Sequence, residues 1–511
     1  MQHLKRVSFW LSCVCVVALV FSLALVSSGA LTTTQKTAAP STASTSVKAY
    51  GAVGNKNVDD YNAIYQAVQA AAVNAAGGTV YFPAGEYLLG KTMTVPANVE
   101  LVFAANSSIY LGSGVTLTVN GSIAAGDQCI FWGLGTVNGA PQNEALNPMW
   151  FGALDDGRDC SGAFQLALSM CNGLEVPNTQ NGFILKQVNL NREQMNIYGR
   201  DGQKAKIVAT ADSTMLFNIS RNNVTIKNLS IDMSRTNNAS STCFVLNDSA
   251  AGGALAHVFI DNIDANGAFC FARDSLVKEF TISNAHFSNL NLTAGRGSAF
   301  KTLGMYGFVF IEHSVIDYST SSGITMNFPA IDITANQGML IDNVTIKGQG
   351  NAVAGAHGIK GTNCEAMWFQ NCKISGMGDC GIYLTRNDKR RNIYYYINNN
   401  DISYCSNGIQ ITDGYEAQIH QNVITNVRNA GIQLTGSKMQ VSANYISGSN
   451  HGIESYATYS VFTENTTANN TGYGIYSTGS SCASANHASA GNGSGDRFVG
   501  TAVQHALPAV N

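Results

Sequence analysis

The stretch Gly381-Ile-Tyr-Leu-Thr385 returns as Gly408-Ile-Gln-Ile-Thr412 and again as Gly431-Ile-Gln-Leu-Thr435. Residue types alternate within each copy, and a period of two over a short run is typical of a β-strand. The repetition therefore predicts short strands that recur along the chain. Looser copies of the same pattern begin at Gly323, Gly358, Gly452 and Gly474.

A second repeated pattern lies between these strands. It has an apolar residue, then usually an Asn two positions later, then another apolar residue three positions after that, and it starts at Ile397, Ile419 and Val441, 22 residues apart. Two short strands in a repeated unit of this length predict a single-stranded parallel β-helix, because stacked coils bury an apolar face that no coil buries alone. The Asn residues are expected to align at one turn and to hydrogen-bond between coils. Earlier copies start at Ile226, Ile260, Ile282, Ile311, Ile341 and Phe369.

The composition agrees with a long, regular all-β protein. Charged residues make up 12% of the 511 residues, about half the usual share, whereas hydrophobic residues stand at 45%. The net charge is −3, and the longest basic run is Lys389-Arg390-Arg391. Nucleic acid is therefore not expected as a partner, since binding to phosphates needs clustered Lys and Arg.

The first residues read as an export signal. Residues 1–30 combine Lys5 and Arg6 with an apolar run and small residues at Ser28-Gly29-Ala30. We expect cleavage, with an uncleaved anchor as the alternative and no other membrane association; residues 31–46 are predicted to be a linker. The protein is thus expected to be secreted or on the cell surface, where some of its 12 cysteines could form disulfides.

The start of the predicted mature chain carries a recognisable motif. Tyr50-Gly-Ala precedes Asp59-Asp60, a predicted helix over 61–76, and Gly77-Gly-Thr-Val-Tyr-Phe-Pro-Ala-Gly-Glu-Tyr87. This segment resembles the opening of the pectate-lyase-like superfamily, the rhamnogalacturonase and epimerase-type right-handed parallel β-helix proteins. The resemblance implies short N-terminal capping helices, with the aspartates as structural caps.

A looser copy of the opening begins at Trp150-Phe-Gly-Ala153 and keeps Asp156 and Asp159. We therefore predict an N-terminal opening segment over residues 47–148 and the main β-helix, with the second opening motif, over residues 149–511. The resemblance implies a protein that acts on or binds polysaccharide. It does not choose among a lyase, a glycoside hydrolase and an epimerase of a uronic-acid-containing polymer.

A binding face is predicted on the outside of the stacked Gly-Ile strands. The residue after each Ile should point outward, which places Thr325, Lys360 and the residues that follow them in one column. Rings can stack on sugar faces, and amides can bond to hydroxyls. The alternative is a solvated sheet face, because Thr and Tyr are ordinary strand formers. The predicted substrate-binding residues are Tyr383, Gln410, Gln433, Glu454, Tyr456 and Tyr476.

The predicted catalytic residues cluster near the same strands: His357, Lys360, Asp379, Arg386 and Asp413. β-Elimination from a uronic acid needs a cation near the carboxylate and a base for the C5 proton. Lys360 or Arg386 could serve as the cation or the base, and His357 as a base near neutral pH. A surface salt bridge without function is the alternative. The pair of carboxylates that an inverting hydrolase needs is not evident.

Three questions stay open from the sequence. The protein is either an enzyme, with a polysaccharide lyase or glycoside hydrolase favoured, or a non-catalytic β-helix for surface adhesion or carbohydrate binding. No cofactor is firmly indicated; calcium is left open although few carboxylates converge, and no metal ligand is assigned. The partner is expected to be a polysaccharide, and the protein a monomer or a homotrimer.

Overall fold

The chain folds as a parallel β-helix, as the repeats predict. The computed structural model describes residues 44–74, 77–236, 241–246, 255–267, 279–288, 297–303, 308–320, 325–386, 394–498 and 503–504. Strands from successive coils pair in parallel and in register, so that Ile359, Ile382 and Ile409 stack directly above one another. All three are fully buried, and the coils together enclose one continuous apolar core.

Two helices begin the two opening segments. Helix α1 spans Tyr61–Ala72 and helix α2 spans Ser161–Met170, each after a 3₁₀ turn, at Val47–Tyr50 and Pro148–Phe151. A further 3₁₀ turn covers Arg200–Gly202. Both openings thus place a 3₁₀ turn before a helix, but the strand Asn55–Asp59 between them in the first opening has no counterpart among the strands of the second.

The aspartates of the opening motifs hold backbone amides. Asp60 accepts from the N–H groups of Val53 and Gly54 at 2.6 and 3.1 Å, while Asp59 accepts from the N–H of Tyr61 at the start of α1 at 3.0 Å. Asp159 accepts in the same way from Ser161 at the start of α2. These aspartates therefore have structural roles: Asp60, the N-cap residue of α1, holds the preceding loop and makes no side-chain bond to the helix, while Asp59 and Asp159 each bond to the first amide of a helix.

Three small sheets form the N-terminal coils. The first contains Ser44–Ser46, Gly78–Phe82, Val99–Phe103 and Ile123–Ala124. The second contains Asn55–Asp59, Gly85–Leu89, Ser107–Leu111 and Phe131–Gly133. The third contains Met93–Val95, Thr116–Val119 and Thr136–Asn138.

Two large sheets and one small sheet form the rest of the column. The nine-stranded sheet, here called the site sheet, contains Phe300–Leu303, Ile331–Thr334, Ile359–Thr362, Cys380–Thr385, Asn407–Tyr415, Ala430–Ser437, His451–Ser455, Ile475–Ser477 and Arg497–Phe498. The small sheet contains Val188–Leu190, Met215–Ile219 and Thr242–Leu246.

The 25-stranded sheet, here called the long sheet, contains Gly173–Val176, Phe183–Leu185, Asn196–Gly199, Ala205–Ala209, Val224–Asp232, Val258–Asn266, Glu279–Ser283, His286–Ser288, Phe308–Glu312, Val315–Asp317, Gly338–Asp342, Thr345–Lys347, Met367–Gln370, Lys373–Ser375, Tyr395–Asn398, Asp401–Ser403, Ala417–His420, Val423–Thr425, Gln440–Ser442, Tyr445–Ser447, Val461–Thr463, Thr466–Ala468, Ala483–Ala485, Ala488–Ala490 and Val503–Gln504. A late coil thus has three strands, two in the long sheet and one in the site sheet, where the sequence predicts two.

The glycine at the start of the Gly-Ile strands of the site sheet is required by the close approach of the coils. A Cβ added at Gly408 would lie 2.4 Å from the carbonyl oxygen of Gly431 and 2.5 Å from Cγ2 of Ile424. A Cβ at Gly431 would meet the carbonyl of Gly452 at 2.7 Å. Because the obstructing atoms include backbone, no side-chain rotation removes the clash.

The asparagine repeat has two separate causes. The Asn predicted at the turn adopts the left-handed conformation, with φ of 55° at Asn371 and 56° at Asn399, which Asn tolerates better than most residues. The side chains also bond between coils, since Asn399 Nδ2 donates to Asn371 Oδ1 at 2.6 Å. The inter-coil bonding that the sequence predicts is therefore present at this position.

A buried amide ladder runs one residue further along, at a position that the sequence reasoning did not single out. It consists of Asn400, Asn422, Asn444 and Asn465, each at most 1% exposed. In Asn400, the backbone N–H and Nδ2 both donate to Oδ1 of Asn422, at 3.0 and 2.9 Å, and the next two steps repeat this geometry. These amides satisfy buried turn backbone that has no strand partner.

The described cysteines carry free thiols. The structure describes nine of the 12 cysteines, and eight of these nine are buried. The expected disulfides are therefore absent among the described residues.

Residues 1–30, with the predicted signal, lie outside that part of the chain, and none of the described helices is long and apolar enough to cross a membrane.

Candidate functional site

The predicted outer column exists on the site sheet. Lys360 pairs in register with Tyr383, Tyr383 with Gln410, Gln410 with Gln433, Gln433 with Glu454, and Glu454 with Tyr476. Each of these side chains is partly exposed, whereas the flanking Ile residues are buried. The coil before Lys360 differs from the expectation, because Asp332 occupies the column there and Thr325 lies outside the strand.

His357 and Asp379 lie against each other where two adjacent strands of the site sheet begin. Nε2 of His357 is 3.7 Å from Oδ2 of Asp379. Nδ1 of His357 accepts a hydrogen bond from the backbone N–H of Cys380 at 3.3 Å, and Oδ2 of Asp379 accepts one from the N–H of Gly355 at 2.9 Å. Because Nδ1 is the acceptor, the proton of the neutral ring is on Nε2 and faces Asp379.

Burial keeps the ring of His357 neutral. The side chain is 8% exposed, and loss of hydration lowers the pKa of His357 from 6.5 to about 4. The charge of Asp379 opposes this shift and the charge of Lys360 adds to it. The ring also stacks on Tyr383, with centroids 4.7 Å apart, which connects the pair to the outer column.

Three neighbours form a polar layer beneath the pair. The single S–H of Cys380 has two acceptors within reach, Oε1 of Gln410 at 3.1 Å and Oδ1 of Asp379 at 3.4 Å. Nδ2 of Asn407 donates to the same Oε1 of Gln410 at 3.0 Å. Burial raises the pKa of the Cys380 thiol far above its usual range, so it remains a hydrogen-bond donor. Sequence reasoning identified Gln410 but missed Cys380 and Asn407, because both resemble ordinary core positions in a strand.

Arg428 fixes the turns around the pair. One of its terminal nitrogens donates to the carbonyl of Gly350 at 3.0 Å, and the other donates to Oγ of Ser406 at 3.1 Å and approaches the carbonyl of Gly378 at 3.5 Å. These three partners belong to successive coils, and Gly378 directly precedes Asp379. No sequence signal pointed to Arg428, because its partners lie up to 78 positions away from it in the chain.

Arg386 and Asp413 lie at the other end of the strands. They follow Thr385 and Thr412, which are register partners, so the prediction that they occupy equal positions in adjacent coils agrees with the structure. Arg386 follows Asp379 by seven positions of extended chain, which is roughly 23 Å at about 3.3 Å per residue. The five predicted catalytic residues therefore do not share one cleft: His357 and Asp379 contact each other, Lys360 lies in the outer column with its charge acting on His357, and Arg386 and Asp413 lie at the far end of the strands.

An aromatic surface occupies the far end of the column. Tyr456 is 45% exposed and packs edge-to-face on Tyr476 with centroids 6.3 Å apart, and Tyr473 stacks on Tyr476 at 5.2 Å. His451 stacks on Tyr473 at 5.7 Å. We call Tyr456, Tyr473 and Tyr476 the tyrosine platform. Its third member was missed because Tyr473 lies in a turn outside the strand pattern.

One cluster among the described residues has the composition of a metal site: His357, Asp379 and Cys380, whose ligand atoms lie within 4.8 Å of one another. Nitrogen and sulfur donors do not suit calcium, which takes oxygen ligands. The hydrogen bonds described above already engage Nδ1 and the thiol, and the remaining nitrogen carries a proton. The arrangement is that of a protein hydrogen-bond network, so we assign no metal to it.

Two family models match the chain. Residues 266–444 and 389–498 match the right handed beta helix region, and residues 44–126 match rhamnogalacturonase A/epimerase, pectate lyase-like. The chain belongs to the pectate-lyase-like superfamily. The fold of this superfamily, a right-handed parallel β-helix, is the architecture described above, and the resemblance noted at Tyr50–Tyr87 is confirmed.

Proteins with different roles within this fold are similar to the chain. Plasmin and fibronectin-binding protein A of Streptococcus pneumoniae is 40% identical over 70 residues, which is 14% of this chain and 10% of that protein. Mannuronan C5-epimerase AlgE1 of Azotobacter vinelandii is 35% identical over 127 residues, 22% of this chain and 9% of the epimerase. The chain thus matches only about a tenth of the length of these relatives.

A solved structure, the catalytic domain of a GH87 alpha-1,3-glucanase, has a TM-score of 0.46 and 13% identity over 70% of this chain and 69% of its own. Membership of the pectate-lyase-like superfamily fixes the fold and leaves the activity open.

Proposed function

We propose that the protein binds an acidic polysaccharide along the outer column of the site sheet and removes the C5 proton of a uronic acid residue beside Asp379. The observation that carries this proposal is the contact of Asp379 with His357 beside the outer column, where the charge of Lys360 acts on the same His357 ring. The identity to a mannuronan C5-epimerase over 127 residues supports it. An extracellular location, secreted or at the cell surface, fits such a substrate.

Lys360 supplies the positive charge in this proposal. Its side chain lies on the outer face next to Tyr383, and its charge reaches the ring of His357, whose pKa it lowers. A uronate carboxylate paired with Lys360 loses electron density to the ammonium group. The C5 proton beside that carboxylate thereby becomes more acidic, which is the electrostatic contribution that the reaction requires.

Asp379 is the proposed base, and His357 is a positioning residue. The carboxylate of Asp379 is partly exposed, whereas Nδ1 of His357 is engaged by the amide of Cys380 and its Nε2 already carries the proton. The role of His357 as a base, considered from the sequence, is therefore not the one we propose. The N–H of Gly355 and the ring of His357 hold Asp379 in a fixed orientation instead.

Proton removal at C5 leads to two products. Loss of the substituent at C4 gives an unsaturated sugar, as in a lyase, while reprotonation from the opposite face gives the C5 epimer. Glycoside hydrolysis would need a second carboxylate about 5–9.5 Å from Asp379. Asp413 lies near the far end of the strand Asn407–Tyr415, whereas Asp379 directly precedes the start of the neighbouring strand, so we favour elimination or epimerisation over hydrolysis.

The experiment is a panel of acidic polysaccharides incubated with the purified protein in deuterated water. Ultraviolet absorbance would report unsaturated products, and NMR would report C5 deuteration and epimers. We expect one of these signals, and a fall of at least 100-fold in Asp379→Asn and Lys360→Met but not in Gln440→Ala, a matched polar change on the exposed face of the long sheet. A folded protein that gives no signal on any polymer, or full activity in Asp379→Asn, would rule the proposal out.

A second function is favoured by the tyrosine platform. Tyr456 lies three rungs from the coil of Asp379, and Tyr473 and Tyr476 lie four rungs from it. Such a surface binds sugar without chemistry. A non-catalytic carbohydrate-binding or adhesive β-helix would show polymer binding that Tyr476→Ala weakens, with no product at any incubation time.

A further inference from the structure

The outer column carries charges of opposite sign at Lys360 and Glu454. On the two rungs before Lys360, Lys301 and Asp332 are register partners whose charges pair with each other at 3.8 Å. Lys360 follows, then the uncharged Tyr383, Gln410 and Gln433, and then Glu454. Rungs of a parallel sheet are about 4.8 Å apart, so roughly 19 Å separates the positive side chain of Lys360 from the negative one of Glu454.

Within the part of the chain that the structure describes, the hydrogen-bond donors to the carboxylate of Glu454 are all neutral. Its Oε2 accepts from Nε2 of Gln433 at 2.9 Å, and its Oε1 accepts from the hydroxyl of Tyr456 at 2.6 Å. The second bond raises the pKa of Tyr456 to about 12, so the phenol stays protonated at neutral pH. Both donors orient the carboxylate, and neither carries a positive charge to offset it.

The tyrosine platform covers the rung of Glu454, through Tyr456, and the next rung, through Tyr473 and Tyr476. Tyr476 is the register partner of Glu454, and Tyr456, which bonds to Glu454, packs edge-to-face on Tyr476. A sugar ring stacked on this platform therefore places its substituents next to the carboxylate of Glu454. Hydroxyl groups can donate to that carboxylate, whereas a uronate there would be repelled.

We infer that the face selects a heteropolysaccharide, with an acidic residue at Lys360 and a neutral residue over Glu454 and the tyrosine platform, in preference to a uniform polyuronate. The inference rests on the proposed function, because it requires the polymer to lie along this column. Glu454 is then a specificity-determining residue, distinct in its effect from Lys360, Asp379 and His357.

The test compares the binding of three polymers at low salt: a uniform polyuronate, a neutral polysaccharide, and a polymer that alternates uronic acid with neutral residues. Isothermal titration calorimetry on wild type and Glu454→Gln provides the dissociation constants. The amide introduced by this substitution keeps an oxygen acceptor for Tyr456, and the thermal midpoint of the variant checks its fold.

We expect Glu454→Gln to bind the polyuronate about fivefold more tightly, the factor for one like-charge pair about 4 Å apart in water. This gain should disappear in high salt, and binding of the alternating polymer should change by less than twofold. An unchanged affinity for the polyuronate would overturn the inference while leaving the proposed function intact. Failure of the wild type to bind any of the polymers would overturn both.

Discussion

The buried amide ladder makes a quantitative prediction about stability. Asn422 is fully buried, and its Oδ1 accepts from both the backbone N–H and the Nδ2 of Asn400, while its own Nδ2 donates to the carbonyl of Ile397. Asn422→Ala removes these partners at once. Two donors and one acceptor then lie in the core without their hydrogen bonds.

The expected cost follows from these groups. A buried polar group left without its partner costs about 1–3 kcal/mol. Asn400 keeps one bond, from Nδ2 to the carbonyl of Phe369, and some relaxation is expected. We therefore predict that Asn422→Ala lowers the free energy of unfolding by about 3–6 kcal/mol, a large share of the stability of an ordinary domain.

The assay is urea unfolding followed by circular dichroism, together with hydrogen exchange, because the coils of a solenoid need not unfold as one unit. Exchange should accelerate most at the amides of Asn400 and its neighbouring coils. The matched control is Asn399→Ala on the exposed side of the same turn, where one side-chain bond is lost and Ala must adopt a φ of 56°. That variant should lose about 1–2 kcal/mol. A loss in Asn422→Ala no larger than in the control would refute the reasoning, because the ladder would then contribute little.

Two further predictions concern the site and the packing of the coils. The pKa of His357 is about 4 in the folded protein against 6.5 as its ordinary value. The unfolded chain therefore binds more protons between these values, and as pH falls from about 6.5 to about 4 the wild type should lose about 3 kcal/mol that His357→Gln does not lose. Urea unfolding at pH 7 and pH 4.5 measures this; parallel losses in both proteins would contradict it. Gly431→Ala should lower the free energy of unfolding by about 1–3 kcal/mol, because its Cβ would lie 2.3 Å from Cγ2 of Ile446. The same change at Gly162, whose Cβ would meet nothing within 4 Å in α2, should be neutral or stabilising, and equal thermal midpoints for the two variants would count against the packing argument.

The repeats predicted the fold because a β-helix is built from local rules. Period-two alternation specifies a strand, and Gly408 and Gly431 mark where coils approach too closely for a side chain. Asn371 and Asn399 mark a left-handed turn. Each rule acts within a few residues, so each leaves a signature in the sequence, and the outer column from Lys360 to Tyr476 followed from counting along them.

Counting along the repeats predicted less well which residues each coil places in its strands. The sequence places Thr325 in the outer column, but the strand in that coil is Ile331–Thr334, which brings in Asp332. The coils near this point have unequal lengths, so a pattern match at one glycine does not define the register. The third strand per coil was missed for a related reason, since the two strands around the left-handed residue read as one six-residue motif.

The sequence by itself determined the stacked coils, the apolar column inside them and the row of polar side chains outside. Only the tertiary structure decided which of those side chains meet. It brought His357 to Asp379 and separated both from Arg386 and Asp413, and it joined three coils through Arg428. The reason is that contacts between coils depend on where each turn begins relative to its neighbours, a relation between residues 20 to 80 positions apart that no local pattern records.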